Sequence, residues 1–143
     1  MHGAGKTAPG KAGEGMRKSA LAGAVVATFL LGSAYALAGP WEDGMVAYNR
    51  GDYLPAIRLF RPLAEQGNPK AQTQIGTMYR KGEGTAPSLT RAFMWFSVAA
   101  KRGDARAKAG LRDVSRKMSS AEMSEGAAMA DACAASNYRA CEY

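Results

Sequence analysis

The sequence predicts an all-α solenoid of antiparallel helical hairpins, about six helices in all. Three observations carry that expectation. Between Trp41 and Ala134, apolar residues recur at spacings of three and four, the period of a helix with one buried face. Glycines at 51, 67, 82 and 103 interrupt these runs, and Gly67 reads as a left-handed cap. The pattern also returns on itself. At an offset of 36, Ala56, Phe60, Ala64, Gly67 and Ala71 come back as Ala92, Phe96, Ala100, Gly103 and Ala107, and Ile75 as Leu111. At an offset of 31, Tyr48 and Gly51 come back as Tyr79 and Gly82. Periods of this length mark stacked helical hairpins, each burying its apolar face on the next.

At 143 residues and 47% hydrophobic content the chain has room for one compact domain. Residues 1–15 (MHGAGKTAPGKAGEG) are glycine-rich, lack apolar periodicity and hold the sole histidine, His2, so they read as disordered or untranslated. Gly5-Lys6-Thr7 resembles the end of a phosphate-binding loop, but the glycine and strand that must precede it have no room. Residues 16–38 follow the order of a secretory signal peptide: Met16-Arg17-Lys18 is positive, Ala20 to Leu31 is apolar, and Ala34-Tyr35-Ala36-Leu37-Ala38 offers two small-residue cleavage sites. Cleavage after Ala38 is favoured over Ala36, because Gly39-Pro40 then begins the mature chain. An uncleaved anchor is the competing reading, yet Gly23, Thr28, Gly32 and Ser33 dilute the run below the ~20 apolar residues a span needs. The membrane is therefore met only through this segment before cleavage, and the product is periplasmic or secreted. Translation starting at Met16 would account for the character of the first fifteen residues.

The elements follow in order. Trp41 to Arg50 places Trp41, Met45 and Tyr48 on one face; Tyr53 to Gln66 places Ala56, Leu59, Phe60 and Leu63 together, with Pro55 in the tolerant first turn. Pro62 is expected to bend that helix near residue 58. Asn68-Pro69 opens a helix to Lys81 with Ala71, Ile75, Met78 and Tyr79 inward, and Gly76 allows close approach. Ser88 to Arg102 buries Ala92, Trp95, Phe96 and Ala99, leaving Phe93 and Met94 for exposed contacts or for the neighbouring unit. Ala107 to Lys117 turns Leu111, Val114 and Met118 inward. Ser119 and Glu122 form a capping box for a last helix, Ala121 to Ala134, with Met123, Ala127, Ala130 and Ala134 inward. In an exported chain the even pair Cys133 and Cys141 is most simply a disulfide, reactive thiols being the alternative.

Ile75-Gly76-x-x-Tyr79-x-x-Gly82-x-Gly84, followed by Ala92-x-x-Trp95-x-x-x-Ala99-Ala100-x-x-Gly103, resembles the Sel1-like repeat, a relative of the tetratricopeptide repeat. Tyr48 to Ala71, with Arg61-Pro62-Leu63-Ala64-Glu65-Gln66-Gly67, is similar to the first unit of short exported bacterial members. In the third unit Arg112 replaces the packing glycine and Ser115 the tyrosine. The resulting division of 39–143 is a first unit over 42–70, a central repeat over 71–106 and a diverged capping unit over 107–143. The resemblance implies an α-solenoid that binds proteins, and it brings no catalytic motif.

Residues 39–143 hold no histidine, no metal-ligand set and no G-x-S-x-G or S-x-x-K arrangement, and Glu42, Glu65, Glu83 and Asp104 lie near turns or helix ends. No enzyme, cofactor or metal is expected. The formal charge of +7 falls to about +4 over 39–143, where 15 Lys plus Arg face 11 Asp plus Glu. Seven cations lie between Lys101 and Lys117, and Lys108, Arg112 and Arg116 recur every fourth residue on one face. Such a face fits an acidic protein surface or is simply solvated. Nucleic acid is excluded by compartment and by the lack of interleaved stacking aromatics. The expectation is a monomeric, non-enzymatic interaction module of the envelope. Its groove would be lined by the first helix of each hairpin, with Gln72, Gln74, Met78, Lys108, Arg112 and Arg116 as contacts. A small envelope enzyme or a cell-wall-polymer-binding factor, related to β-lactam or peptidoglycan chemistry, is the alternative.

Overall fold

The computed structural model of the chain describes residues 38–141, together with Gly3 and Gly5. The expected signal segment therefore lies, Ala38 apart, outside the described residues. By its internal contacts the chain divides into residues 1–37 and 38–143, and the helices among the described residues lie in the second unit. They are α1 (Pro40–Arg50), α2 (Tyr53–Glu65), α3 (Pro69–Lys81), α4 (Leu89–Lys101), α5 (Ala105–Ser115) and α6 (Ser120–Ala135). Each of the first four packs on the next in sequence, α3 also touches α5, and α6 folds back onto α4. No strand occurs among the described residues, and no helix there is long and apolar enough to cross a membrane.

Short polar side chains set the helix starts. Asn68 Oδ1 accepts the Lys70 and Ala71 N–H groups at 3.0 and 3.3 Å, and Ser88 Oγ accepts that of Arg91 at 3.2 Å. Ser119 and Glu122 form the expected reciprocal cap. Asp104 takes the N–H groups of Arg106 and Ala107, each at 2.9 Å. This carboxylate starts α5 at Ala105, two residues before the sequence expectation. Gly82 ends α3 at φ 73°. The helix α2 continues through Pro62: both Pro62 and Arg58 are exposed, so the carbonyl deprived of its N–H partner faces water.

The core is built from phenylalanines seated on glycines. Phe60 of α2 lies over Gly44 of α1, where a Cβ would come within 2.6 Å of the ring. Phe96 of α4 is gripped from two sides: a Cβ at Gly76 of α3 would stand 2.9 Å from it, and one at Gly110 of α5 2.7 Å. The packing glycine thought to be lost at Arg112 is thus supplied at Gly110. Phe93 is half-buried over Gly126 of α6 and Met94 is fully buried. Both pack within the molecule, and Met94 offers no exposed contact. Trp95 and Phe96 are each 1% exposed, as core residues should be. On α6 the inward face runs through Met123, Gly126, Ala130 and Cys133, whereas Ala127 and Ala134 point to solvent. With an alanine-rich helix the apolar period barely distinguishes one face from the other, which is why the sequence reading rotated it.

Beyond α6, Cys133 and Cys141 form a disulfide. The loop between them turns through Asn137 and Tyr138, both in the left-handed region at φ 56° and 66°. The Tyr138 ring reaches the α2–α3 turn at Gly67, and the Arg102 guanidinium lies 5.5 Å from its centroid.

Candidate functional site: the groove between α3 and α5

The first helices of the second and third hairpins, α3 and α5, flank one side of α4, and a cleft of about 400 Å³ opens between them. Phe96 and Gly110 form its floor; Thr73, Gln74 and Thr77 contribute from α3, Arg106 and Ala109 from α5. The small residues at 109 and 110 keep the cleft open on the α5 side. Thr73 and Thr77 donate their hydroxyl protons to the carbonyls of Pro69 and Thr73, at 2.8 and 3.0 Å, so their oxygens remain available as acceptors. Gln74 is 9% exposed, and its amide makes no hydrogen bond to any of the described residues. An unbonded amide on the cleft wall offers a donor and an acceptor, the pair that an extended peptide backbone presents in reverse.

An ionic strap crosses the cleft. Arg80 of α3 meets Asp113 of α5 at 2.8 Å, and Arg116 and Lys117 approach the same carboxylate at 3.3 and 3.5 Å. The hydrogen bond from Arg80, with the nearby Lys117 and Arg116, holds the Asp113 carboxyl below its ordinary range. A depressed carboxyl contributes stability that is present above its unfolded-state pKa and fades as pH falls through the native one. Asp113→Asn is therefore expected to flatten the acid limb of the melting-temperature profile below about pH 4. An unaltered acid limb would show the strap to be energetically silent.

A second polar cluster fixes α1 to the end of α3. Tyr48 donates to Glu83 at 2.6 Å, and Lys81 lies 3.3 Å from the phenol oxygen and 3.5 Å from the carboxylate. Burial, then the Glu83 hydrogen bond, push the Tyr48 phenol above its ordinary range, so it stays protonated at neutral pH. This cluster braces the fold at a distance from the cleft residues.

The expected contact residues separate on this geometry. Gln72 and Met78 are completely buried, and Gln72 Nε2 donates to the Ala64 carbonyl at 3.0 Å. They belong to the scaffold and cannot meet a partner, because α3 has neighbours on both flanks. Gln74 lines the cleft. Lys108 and Arg112 on α5, and Arg116 at its C-terminal cap, are all exposed. Arg116 spends its charge on Asp113, whereas Lys108 and Arg112 have no ion-pair partner among the described residues. Other cations of the stretch are also engaged: Lys101 with Asp131 at 2.9 Å, and Arg102 with the Tyr138 ring. The basic face thus narrows to Lys108 and Arg112, beside the half-committed Arg106, which lies 3.9 Å from Asp104. Thr73, Thr77 and Ala109 escaped the sequence reading. Their signal was the small and hydroxylic composition of α3 and α5 around Phe96.

No cluster of three metal-ligating side chains occurs among the described residues. Stacked helical hairpins with a polar cleft between successive first helices define a helical-repeat binding scaffold. A Sel1 repeat family model matches residues 26–68 and 69–104, more than half the chain. The chain belongs to the Sel1 repeat family. Sel1 repeats are generally protein-interaction modules, and the family is typically non-enzymatic. The two matches meet at Asn68, the cap of α3, and end before α5, so the cleft joins the second matched unit to the helix that follows it.

Proposed function

We propose that the protein is an exported, monomeric adaptor of the bacterial envelope that holds an extended segment of another protein in the cleft between α3 and α5. The observation that carries this is Gln74: a mostly buried side chain on the wall of an open cleft, whose amide is unpaired among the described residues. The amide ends are open to solvent, and a partner backbone that satisfies both exchanges bonds to water for bonds to protein. Lys108 and Arg112, exposed and unpaired on α5, favour a partner with acidic residues beside the bound segment and act chiefly on its encounter rate. Export follows from residues 16–38, whose order of positive, apolar and small residues is that of a signal peptide.

A photocrosslinker at Ala109, in the cleft, is expected to capture an acidic envelope protein, while the same group at Ala127, exposed on α6, does not. Against that partner, Gln74→Ala is expected to weaken binding about tenfold, the loss of two modest hydrogen bonds. Replacing Lys108 and Arg112 by alanine should slow association and reduce its salt dependence. Equal capture from both positions, or capture unchanged in the Gln74 and Lys108/Arg112 variants, would overturn the reading.

A further inference from the structure

We infer that a small cavity between α2, α4 and the tail loop binds a carboxylate ion, held by the Trp95 indole N–H and the Arg139 guanidinium. Two buried side-chain atoms lack a hydrogen-bond partner among the described residues, Gln72 Oε1 and Trp95 Nε1. The first belongs to an amide already anchored through its nitrogen to the Ala64 carbonyl. The second is the one polar atom of its side chain, and an indole N–H donates but never accepts. Buried tryptophans ordinarily give that proton to an acceptor, and none of the described residues supplies one. Trp95 lines a cavity of about 110 Å³ together with Arg61 and Glu65 of α2 and Tyr138, Arg139 and Cys141 of the tail. This cavity shares no lining residue with the α3–α5 cleft, so the inference stands apart from the proposed peptide site.

The charges around the indole select the ligand. Arg61 and Glu65 stand four residues apart, on one face of α2. The Cys133–Cys141 bridge and the left-handed Asn137 and Tyr138 bring the tail, and Arg139 with it, to that face. Arg61 already has a partner, whereas the exposed Arg139 guanidinium makes no ion pair among the described residues. Two guanidiniums against the one carboxylate of Glu65 leave a single positive charge on the lining. A monovalent carboxylate cancels it; a phosphate dianion would reverse it and meet Glu65 as well. The planar oxygens of a carboxylate also match the edge of a guanidinium and keep a lone pair for the indole. The cavity has roughly the volume of four waters, room for acetate or an acid of similar size. Trp95 Nε1 is closed to water, so binding includes a shift of a lining side chain. Arg139, exposed and without an ion pair, is the one placed to make it.

The test follows the indole N–H resonances of the two tryptophans, Trp41 and Trp95, in the oxidised protein by NMR. Sodium acetate is titrated at constant ionic strength, with sodium chloride and inorganic phosphate as comparison salts. The Trp95 resonance, identified by its loss in Trp95→Phe, is expected to move downfield and saturate with acetate, and the backbone amides of residues 136–141 to move with it. Arg139→Gln alters an exposed residue outside the core and should weaken acetate binding about tenfold, the loss of one charge-assisted hydrogen bond. In Trp95→Phe the acetate response of the tail amides should weaken likewise. An indole response that stays linear, that phosphate reproduces at equal affinity, or that Arg139→Gln leaves unchanged would overturn the site. The same chemistry is carried within the chain by Glu142, directly after Cys141. A resonance that ignores acetate in the wild type but responds to it in Glu142→Gln would overturn a free ion as the occupant and assign the site to the chain's own acid.

Discussion

Phe96→Ala is expected to cost about 3–5 kcal/mol of folding stability, read from urea denaturation at constant slope. Domains of this kind are stable by about 5–15 kcal/mol, so the change removes a large share of the total. The reason is particular to this ring. Phe96 is 1% exposed and packs between Gly76 of α3 and Gly110 of α5, so its loss opens a cavity touching three helices at once. The glycines supply the sharper test. An alanine normally stabilises a helix interior by about 1 kcal/mol over glycine. At Gly110 its methyl would stand 2.7 Å from the ring, and overpacking of that order costs about 1–3 kcal/mol. Gly110→Ala should therefore destabilise the wild type and turn neutral or stabilising beside Phe96→Ala. A cycle with no coupling between the two sites would show that the glycine is not there for the ring.

How well the sequence foretold this arrangement depended on which helix was read. The α4 stripe of Ala92, Trp95, Phe96 and Ala99 was legible, because large aromatics among alanines leave one face to bury. The asparagine and serine caps were equally plain. Misreadings arose where a helix has more than one neighbour. Gln72 and Met78 looked available on α3, but α2 packs against that helix from one side and α4 from another. The packing glycine of α5 was sought at 112 by strict repetition and stands at 110. Two residues are a rotation of more than half a turn. The shift is physical: α3 meets Phe96 as its hairpin partner, whereas α5 meets it from the next unit, so the two glycines must lie on different faces of their helices.

The same geometry sorts the charges, which the sequence could only count. Of the cations between Lys101 and Lys117, several hold the molecule to itself through Asp113, Asp131, Asp104 and Tyr138. Exposed pairs of this kind contribute little individually. Their effect here is to spend charge within the molecule, leaving Lys108 and Arg112 as the exposed cations of α5 without an ion-pair partner among the described residues. A structural cation and a recognition cation look alike in sequence; the partner across the helix separates them.

Replacing Cys133 and Cys141 together by alanine is expected to lower stability by about 2–3 kcal/mol, from the chain entropy of closing a loop of this length. In a domain of about 100 residues that is a fall in melting temperature of about 10–20 °C. The bridge matters because of what its loop carries. Tyr138, a non-glycine residue at φ 66°, sets its ring against Gly67 at the α2–α3 turn and under Arg102, so the last turn of chain is pinned to the first hairpin. Without the bridge the left-handed pair Asn137 and Tyr138 has little reason to persist. Hydrogen exchange at residues 136–141 should then rise before any other part of the domain opens. Reducing the wild type should reproduce the loss seen in the double variant, since both Cys133 and Cys141 are buried and neither has another partner to gain. A double variant as stable as the oxidised protein would show the bridge to be incidental. If the loss is found, a chain kept in a reducing compartment folds with a loosened end, and export becomes a condition for the complete structure.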